Sequence, residues 1–342
     1  MNRLGLVFDS RYLHHTIAIP SLENPERLRS LYLQLQQEKY TKSTFHIPPR
    51  SATSEDIHMV HSSFYVEQLR EHAIKSDPFS YDRDTYLMDD SLPTARLAAG
   101  GCLALTDRIM AEELDYGFAL VRPPGHHATP GRGMGFCIFN NIAITAEYLR
   151  RKYGLSRILI LDFDVHHPNG TQEIFYDTSE VLVLSIHQNG LFPFTGESDE
   201  IGTEAGTGYT INIPVHPQFG DSEYTCLLGR LLQGVVEQYL PQFILVSAGY
   251  DAHQDDSISG TLLSTQWFAT ITHILRRHAF ENCNNRLLYI LEGGYNPAAL
   301  EKSVLATIDA MLQKDFERPG ILSVPRAEKI LDDHPLRRYW TV

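Results

Sequence analysis

Five apolar runs in this sequence end in residue types that bind metal ions or move protons. GFALV leads into RPPGHHATPGRGMGF, RILIL into DFDVHHPNG, VLVLSI into HQNGLFPFTG, FILVSAG into YDAHQDD, and LLYIL into EGGYNP. If the strand that begins at Arg157 runs on past Leu161, its two-residue period puts Asp162, Asp164 and His166 on one face, with Leu161, Phe163 and Val165 on the other. A catalytic metal centre of the zinc type takes three nitrogen or oxygen ligands and keeps a fourth position for water. Asp164 and His166 supply two, and Asp251, directly after SAGY, is the natural third; His253 is the alternative, and Asp255 and Asp256 are expected in an exposed loop. His126 and His127 sit in a loop tightened by Pro and Gly, where adjacent imidazoles suit proton transfer beside an activated water. Such imidazoles need orienting partners, for which Asp162 and Asn169 are candidates. In EGGYNP the two glycines permit a sharp turn and leave Tyr295 at the mouth, a neutral donor for a developing oxyanion.

These side chains require a scaffold that brings the ends of several strands together. The five runs lack polar alternation and are rich in Val, Ile and Leu, so they read as fully buried strands. Between them lie helical patterns beginning at Ala95, Asn140, Tyr224 and Ser264. Alternating strand and helix predicts an open, mostly parallel sheet with helices on both faces, where ligand sites gather at the carboxyl ends of the strands. Ser10 to Leu92 is less regular, with a helix near Pro25 to Glu38, another at Ser54 to Ala73, and rim loops. No linker-like composition or internal repeat divides the chain, so one domain over 1–342 is expected.

With 43% hydrophobic and 21% charged residues, the 342-residue chain can bury a sizeable core. A formal charge of −13 disfavours nucleic acid and anionic membrane and favours cationic partners. Cys102, Cys137, Cys226 and Cys283 form no CxxC pair, which argues against a disulfide framework or a thiolate zinc site. The start, MNRLGLVFDSRYLHH, turns polar too early for a signal peptide, and no apolar run approaches the roughly 18 residues of a membrane span. A cytoplasmic enzyme is the expectation. His14 and His15 are expected in a solvated loop, as is the acidic stretch GESDEIGTEAG.

RPPGHHA, GFCIFNN, LDFDVHHPNGTQEIFY, SAGYDAH and LEGGYNP, in this order between about Pro25 and Asn296, resemble the zinc-dependent histone deacetylase superfamily. That superfamily also holds acetylpolyamine and acetoin-utilisation-type deacetylases. The resemblance implies the arginase-like open α/β fold and removal of acyl groups from acyl-lysine proteins or peptides, or from acetylated polyamines. It implies Zn²⁺ on Asp164, His166 and Asp251, proton transfer by His126 and His127, and a carbonyl-polarising Tyr295. It also implies a structural potassium ion on Asp162, Ser185 and the main-chain carbonyls of Asp164, His166 and Ile186. A second monovalent site would use carbonyls near Phe175, Thr178, Val181 and Tyr209. Gly135, Phe136, Phe192 and Ile258 become substrate-binding positions, the two phenylalanines as walls of an apolar tunnel. Ile258 stands where polyamine-preferring animal members carry glutamate, although bacterial polyamine members can also be apolar there, which gives a small tilt of the expectation towards acyl-lysine. The chain departs from the family at Pro168, where glycine is usual, and only Asp89 or Asp90 is at hand for the rim acid. Arg27 matches a family arginine below the site, although a helix-surface arginine is its plain reading. A rival, an arginase-like dimanganese ureohydrolase, needs more bridging carboxylates than these motifs offer.

Overall fold

The structure, a computed structural model, describes residues 2–17, 20–75, 79–315 and 323–342. Ten strands occur among them: β1 Leu4–Val7, β2 Phe45–His46, β3 Phe79–Ser80, β4 Tyr86–Leu87, β5 Tyr116–Ala119, β6 Ile158–Asp162, β7 Val181–Gln188, β8 Thr210–Val215, β9 Phe243–Ala248 and β10 Leu287–Leu291. Eight form one sheet in the order β2-β1-β5-β10-β9-β6-β7-β8, and β3 pairs with β4 apart from it. Every pairing in the large sheet is parallel. All residues of β5, β6, β7, β9 and β10 are buried, and successive side chains point to opposite faces, so both faces are covered. The expected parallel α/β architecture is present.

The covering helices follow the predicted patterns: Ser91–Met110, Asn141–Tyr153, Asp221–Tyr239 and Thr265–Asn282. The first packs on β5 and β1, and the last on the helix Pro297–Leu312. Asn141–Tyr153 begins where the Asn140 side chain accepts from Ala143 N and ends at Gly154, whose left-handed backbone closes the helix.

The single helix expected over Ser54 to Ala73 is two, Ser54–His58 and Ser63–Lys75. A capping box of Thr53 and Asp56 starts the first. The ladder then breaks because Ser62 N donates outward to Pro130 O at 2.8 Å, while the Ser62 hydroxyl accepts from Tyr65 N at 3.2 Å and opens the second. Leu6, Leu336 and Trp340 belong to one apolar core, so both ends of the described chain feed it. No helix among the described residues is long and apolar enough to cross a membrane.

Candidate active site and metal centre

Strand β6 stops at Asp162, two residues before the first candidate ligand. Carboxylates continue the backbone's order: Asp162 Oδ1 accepts from Asp164 N at 3.0 Å, and Asp164 Oδ1 accepts from His166 N at 2.9 Å. Phe163 and Val165 stay in the apolar core, so the alternation read from the sequence survives without a strand. The end of β9 brings in Asp251. One donor atom each from Asp164, His166 and Asp251 lies within 4.8 Å of the others, and all three residues are buried.

The chemistry of this group fits a divalent cation. His166 Nδ1 is 2.9 Å from Asp164 Oδ1 and 3.1 Å from Asp251 Oδ2. Val165 N occupies Asp251 Oδ1 at 3.0 Å, whereas buried Asp251 Oδ2 faces only the His166 ring and makes no hydrogen bond of good geometry. A buried carboxylate oxygen left this way is costly unless a cation meets it. Burial and the Asp164 charge push Asp251 up to about 6 against the pull of His166. Added Cβ atoms at Gly249 and Gly293 would run into these carboxylates, so glycine at both positions keeps the cradle open. His253, the alternative ligand, is elsewhere engaged: Nδ1 accepts from Asp255 N at 3.0 Å and Nε2 meets Thr265 Oγ1 at 3.1 Å.

The histidine pair stands beside this group, with ring centroids 4.0 Å apart. His126 Nδ1 meets Asp162 Oδ2 at 3.0 Å, and His127 Nδ1 meets Asn169 Oδ1 at 2.8 Å. Asp162 and Asn169 are thus each within hydrogen-bond distance of one of the two rings. Burial lowers His126, but the Asp164 and Asp162 carboxylates overcome this and raise it to about 10. Burial, then His126 and His166, drive His127 well below the ordinary histidine range. Two adjacent imidazoles thus prefer opposite protonation states, the condition for dividing acid and base work. His127 donates through Nδ1 to Asn169, which leaves Nε2 with its lone pair.

His167 is turned away from the metal group. It is bonded to Thr195 Oγ1 at 2.8 Å and Gln172 Oε1 at 2.9 Å. Pro168 precedes the helix Asn169–Phe175 directly, so its fixed φ serves the helix start that delivers Asn169. Ser185 pairs with Asp162 in the β6–β7 register and bonds His187 Nδ1 at 2.8 Å.

Tyr295 follows Gly294, whose φ of +116° makes the turn after β10. Asp256 is buried, contrary to the exposed loop expected for it, because Oδ2 accepts from Tyr295 N at 2.6 Å and Asn296 N at 3.0 Å. Its other oxygen accepts from Ile258 N at 3.2 Å, tying Ile258 to the tyrosine turn. The Phe136 ring lies 5.6 Å from Tyr295, and the Phe192 ring 5.0 Å from His127. Gly135 completes that wall: a Cβ there would lie 2.6 Å from His127 Cδ2 and 2.7 Å from Phe192 Cε1. Gly135 and Phe136 both have left-handed backbone, at φ +55° and +68°. Asp82 Oδ2 accepts from Gly135 N at 3.3 Å and Thr85 Oγ1 from Phe136 N at 2.9 Å, so this wall is held by Asp82 and Thr85. Asp89 and Asp90 are exposed.

Arg27 is not on a helix surface. It is buried with its guanidinium 4.9 Å over the Tyr295 ring, and donates to Gly294 O and Glu292 O, each at 2.6 Å. Glu23 balances it at 2.9 Å and also pairs with buried Arg122. His15 is likewise buried, bonded to Ser91 Oγ at 2.8 Å and stacked on Tyr86. Burial raises Glu23, but Arg122 and Arg27 outweigh it and hold the carboxyl at about 2. A depressed carboxyl stabilises the fold fully above its unfolded value, and that contribution is lost as pH falls through the folded one. Glu23→Gln, which strands two buried guanidiniums, should therefore cost about 3–5 kcal/mol at neutral pH. In urea unfolding the gap to wild type should be full near pH 6 and narrower near pH 3.5. A gap that does not change with pH would refute the ion-pair account.

Sequence reasoning passed over Glu292, although LEGGYNP contains it. The carboxylate is buried, with Oε2 accepting from Gly125 N at 2.6 Å and His126 N at 3.2 Å, and burial pushes it up to about 7. An acid directly after a fully apolar strand was the available signal.

Residues 21–311 match the sequence model of the histone deacetylase domain. A probable deacetylase of Archaeoglobus fulgidus is 39% identical over 91% of this chain and 87% of its own length. A histone deacetylase-like amidohydrolase of Pseudomonas aeruginosa is 35% identical over 84% of this chain and 76% of its own. The crystal structure of the HDA15 HD domain superposes with a TM-score of 0.88 at 32% identity, covering 97% of this chain and 93% of that one. The buried Asp/His/Asp group, suited to a metal ion, the histidine pair beside it and these likenesses agree: the chain belongs to the histone deacetylase family and is a deacetylase, a hydrolase of acetylated substrates.

Proposed function

We propose that this deacetylase is a zinc enzyme that removes acetyl or related acyl groups from lysine side chains of proteins or peptides. The observation that carries the reading is the buried Asp164–His166–Asp251 group set beside two histidines whose rings are held by Asp162 and Asn169. Zn²⁺ held by these three residues would supply a Lewis acid for the carbonyl and lower the pKa of the attacking water. His127 Nε2 takes the proton of that water, since its Nδ1 is committed to Asn169. His126, kept charged by Asp164 and Asp162, steadies the negative charge that develops, and Asp162 and Asn169 hold the two rings. The Tyr295 hydroxyl donates to the carbonyl oxygen as it becomes an oxyanion. The proton on His127 then passes to the nitrogen of the leaving amine.

Asp162, Ser185 and the main-chain carbonyls of Asp164, His166 and Ile186 are proposed to hold K⁺, supported by the register that sets Asp162 against Ser185. A single catalytic unit over 1–342 is supported by the shared core of the two ends. A cytoplasmic setting is supported by four buried free cysteines. Gly135, Phe136, Phe192 and Ile258 line the substrate route, and their apolar character favours an uncharged lysine stem over a polyamine cation. Turnover of acetyl-lysine peptides, longer acyl-lysines and acetylpolyamines by zinc-loaded protein tests this. The acetyl-lysine peptide should have the highest kcat/KM; a higher value for an acetylpolyamine overturns the substrate assignment. Gly135→Ala, which forces a Cβ between His127 and Phe192, should lower kcat/KM by about tenfold or more. An unaltered value would remove Gly135 from the substrate wall.

A further inference from the structure

We propose that Glu292 is a positioning residue for His126, its buried carboxylate fixing the loop that presents the histidine pair. The inference rests on the reading above that His126 works in the reaction. Strand β10 lies between β5 and β9, so the residue after β10 stands between the chain that leaves β5 for the histidines and the end of β9. Glu292 joins the two. Its Oε2 accepts from Gly125 N and His126 N, and its Oε1 is 3.3 Å from the Ser247 hydroxyl of β9. Its own main chain is anchored, with the carbonyl on Arg27 and the amide donating to Ala248 O at 3.0 Å.

His126 is thereby held at two points. Its amide is fixed by Glu292 and its ring by Asp162, and with both in place Nε2 stands 3.9 Å from Asp164 Oδ1. The loop has no slack to absorb a change, because a Cβ at Gly125 would lie 2.5 Å from Asn141 N and 2.8 Å from Phe139 O. An acid this deeply buried is costly, and a purely packing role would be served by an apolar side chain. What an apolar side chain lacks is an oxygen that takes both amides at once.

Reach and charge can be separated. Glu292→Gln keeps a carbonyl oxygen at full reach and can donate its amide to Ser247, whereas Glu292→Asp keeps the charge but is one methylene too short to hold both amides. The measurement is kcat and KM per bound zinc on an acetyl-lysine peptide, with His126→Ala in parallel. Glu292→Asp should lose roughly ten- to a hundredfold in kcat with KM within about twofold, and Glu292→Gln should recover kcat to within about threefold of wild type. Wild-type kcat in Glu292→Asp, or a change confined to KM, overturns the proposal. So does a loss beyond about tenfold in folded Glu292→Gln, a result that decides the matter even if the aspartate variant does not fold. His126→Ala separates the two readings: if it keeps kcat, the role of the histidine fails, whereas an inactive His126→Ala beside a fully active Glu292→Asp sinks only the positioning role.

Discussion

Asp251→Asn is expected to yield a folded protein that no longer retains zinc through dialysis and whose kcat/KM on an acetyl-lysine peptide falls by about three orders of magnitude or more. The substitution is nearly isosteric. Asparagine Oδ1 can still accept from Val165 N, the bond that Asp251 Oδ1 makes at 3.0 Å, so the local backbone keeps its support. What changes is the other oxygen, the buried one that faces the His166 ring, which becomes an amide nitrogen with no lone pair for a metal. The variant relieves one of two like charges packed around His166 but also gives up the 3.1 Å contact of Asp251 with that ring, so the two metal-free proteins should melt within a few degrees of each other. Added zinc should raise the melting temperature of wild type alone, because a ligand that binds only the native state stabilises it. Metal content by mass spectrometry, turnover and melting with and without zinc together decide it. Stoichiometric zinc with turnover in the variant would remove Asp251 from the ligand set.

The parts of this molecule that were legible in the sequence are those whose signal is local. Buried parallel strands announce themselves as continuous apolar runs, and ionisable residues follow at their carboxyl ends, so Asp164, His166, Asp251, the histidine pair and Tyr295 stood out as candidates before any fold was seen. Strand β1 offers only four residues, and β8 alternates polar with apolar and contains Pro214, which its place at the sheet edge allows. Neither gives a strong run. Charged residues whose burial depends on distant partners were the hardest. Arg27 looks like solvated helix chemistry until Glu23, itself held by distant Arg122, and the Gly294 carbonyl, far along the chain, close around it. His15 is hidden by Ser91 and Tyr86, and Asp256 by the amides of the tyrosine turn. Glu292 belongs to the same class: its type was visible, but the loop it grips lies 167 residues away.

Tyr295→Phe should lower kcat by about a hundred- to a thousandfold, equivalent to about 3–4 kcal/mol of transition-state stabilisation, with little change in KM, zinc content or melting temperature. The ring is fixed without its hydroxyl. Arg27 lies over one face, Phe136 stands 5.6 Å away, and Asp256 holds the main-chain amide. Among the described residues the hydroxyl itself makes no hydrogen bond to protein, so removing it strands no buried partner and leaves the fold intact. Burial keeps the phenol protonated far above its ordinary range, which preserves it as a donor at any working pH. A donor with no partner in the resting protein stabilises only what arrives, and an oxyanion accepts more strongly than the ground-state carbonyl. The loss therefore falls on kcat. Unchanged turnover would assign the oxyanion to other groups, and a fall in zinc content would mean the tyrosine acts on the metal site instead. Comparison with Asp251→Asn sharpens the distinction, since that variant loses metal and turnover together while Tyr295→Phe should keep its metal and lose only the rate.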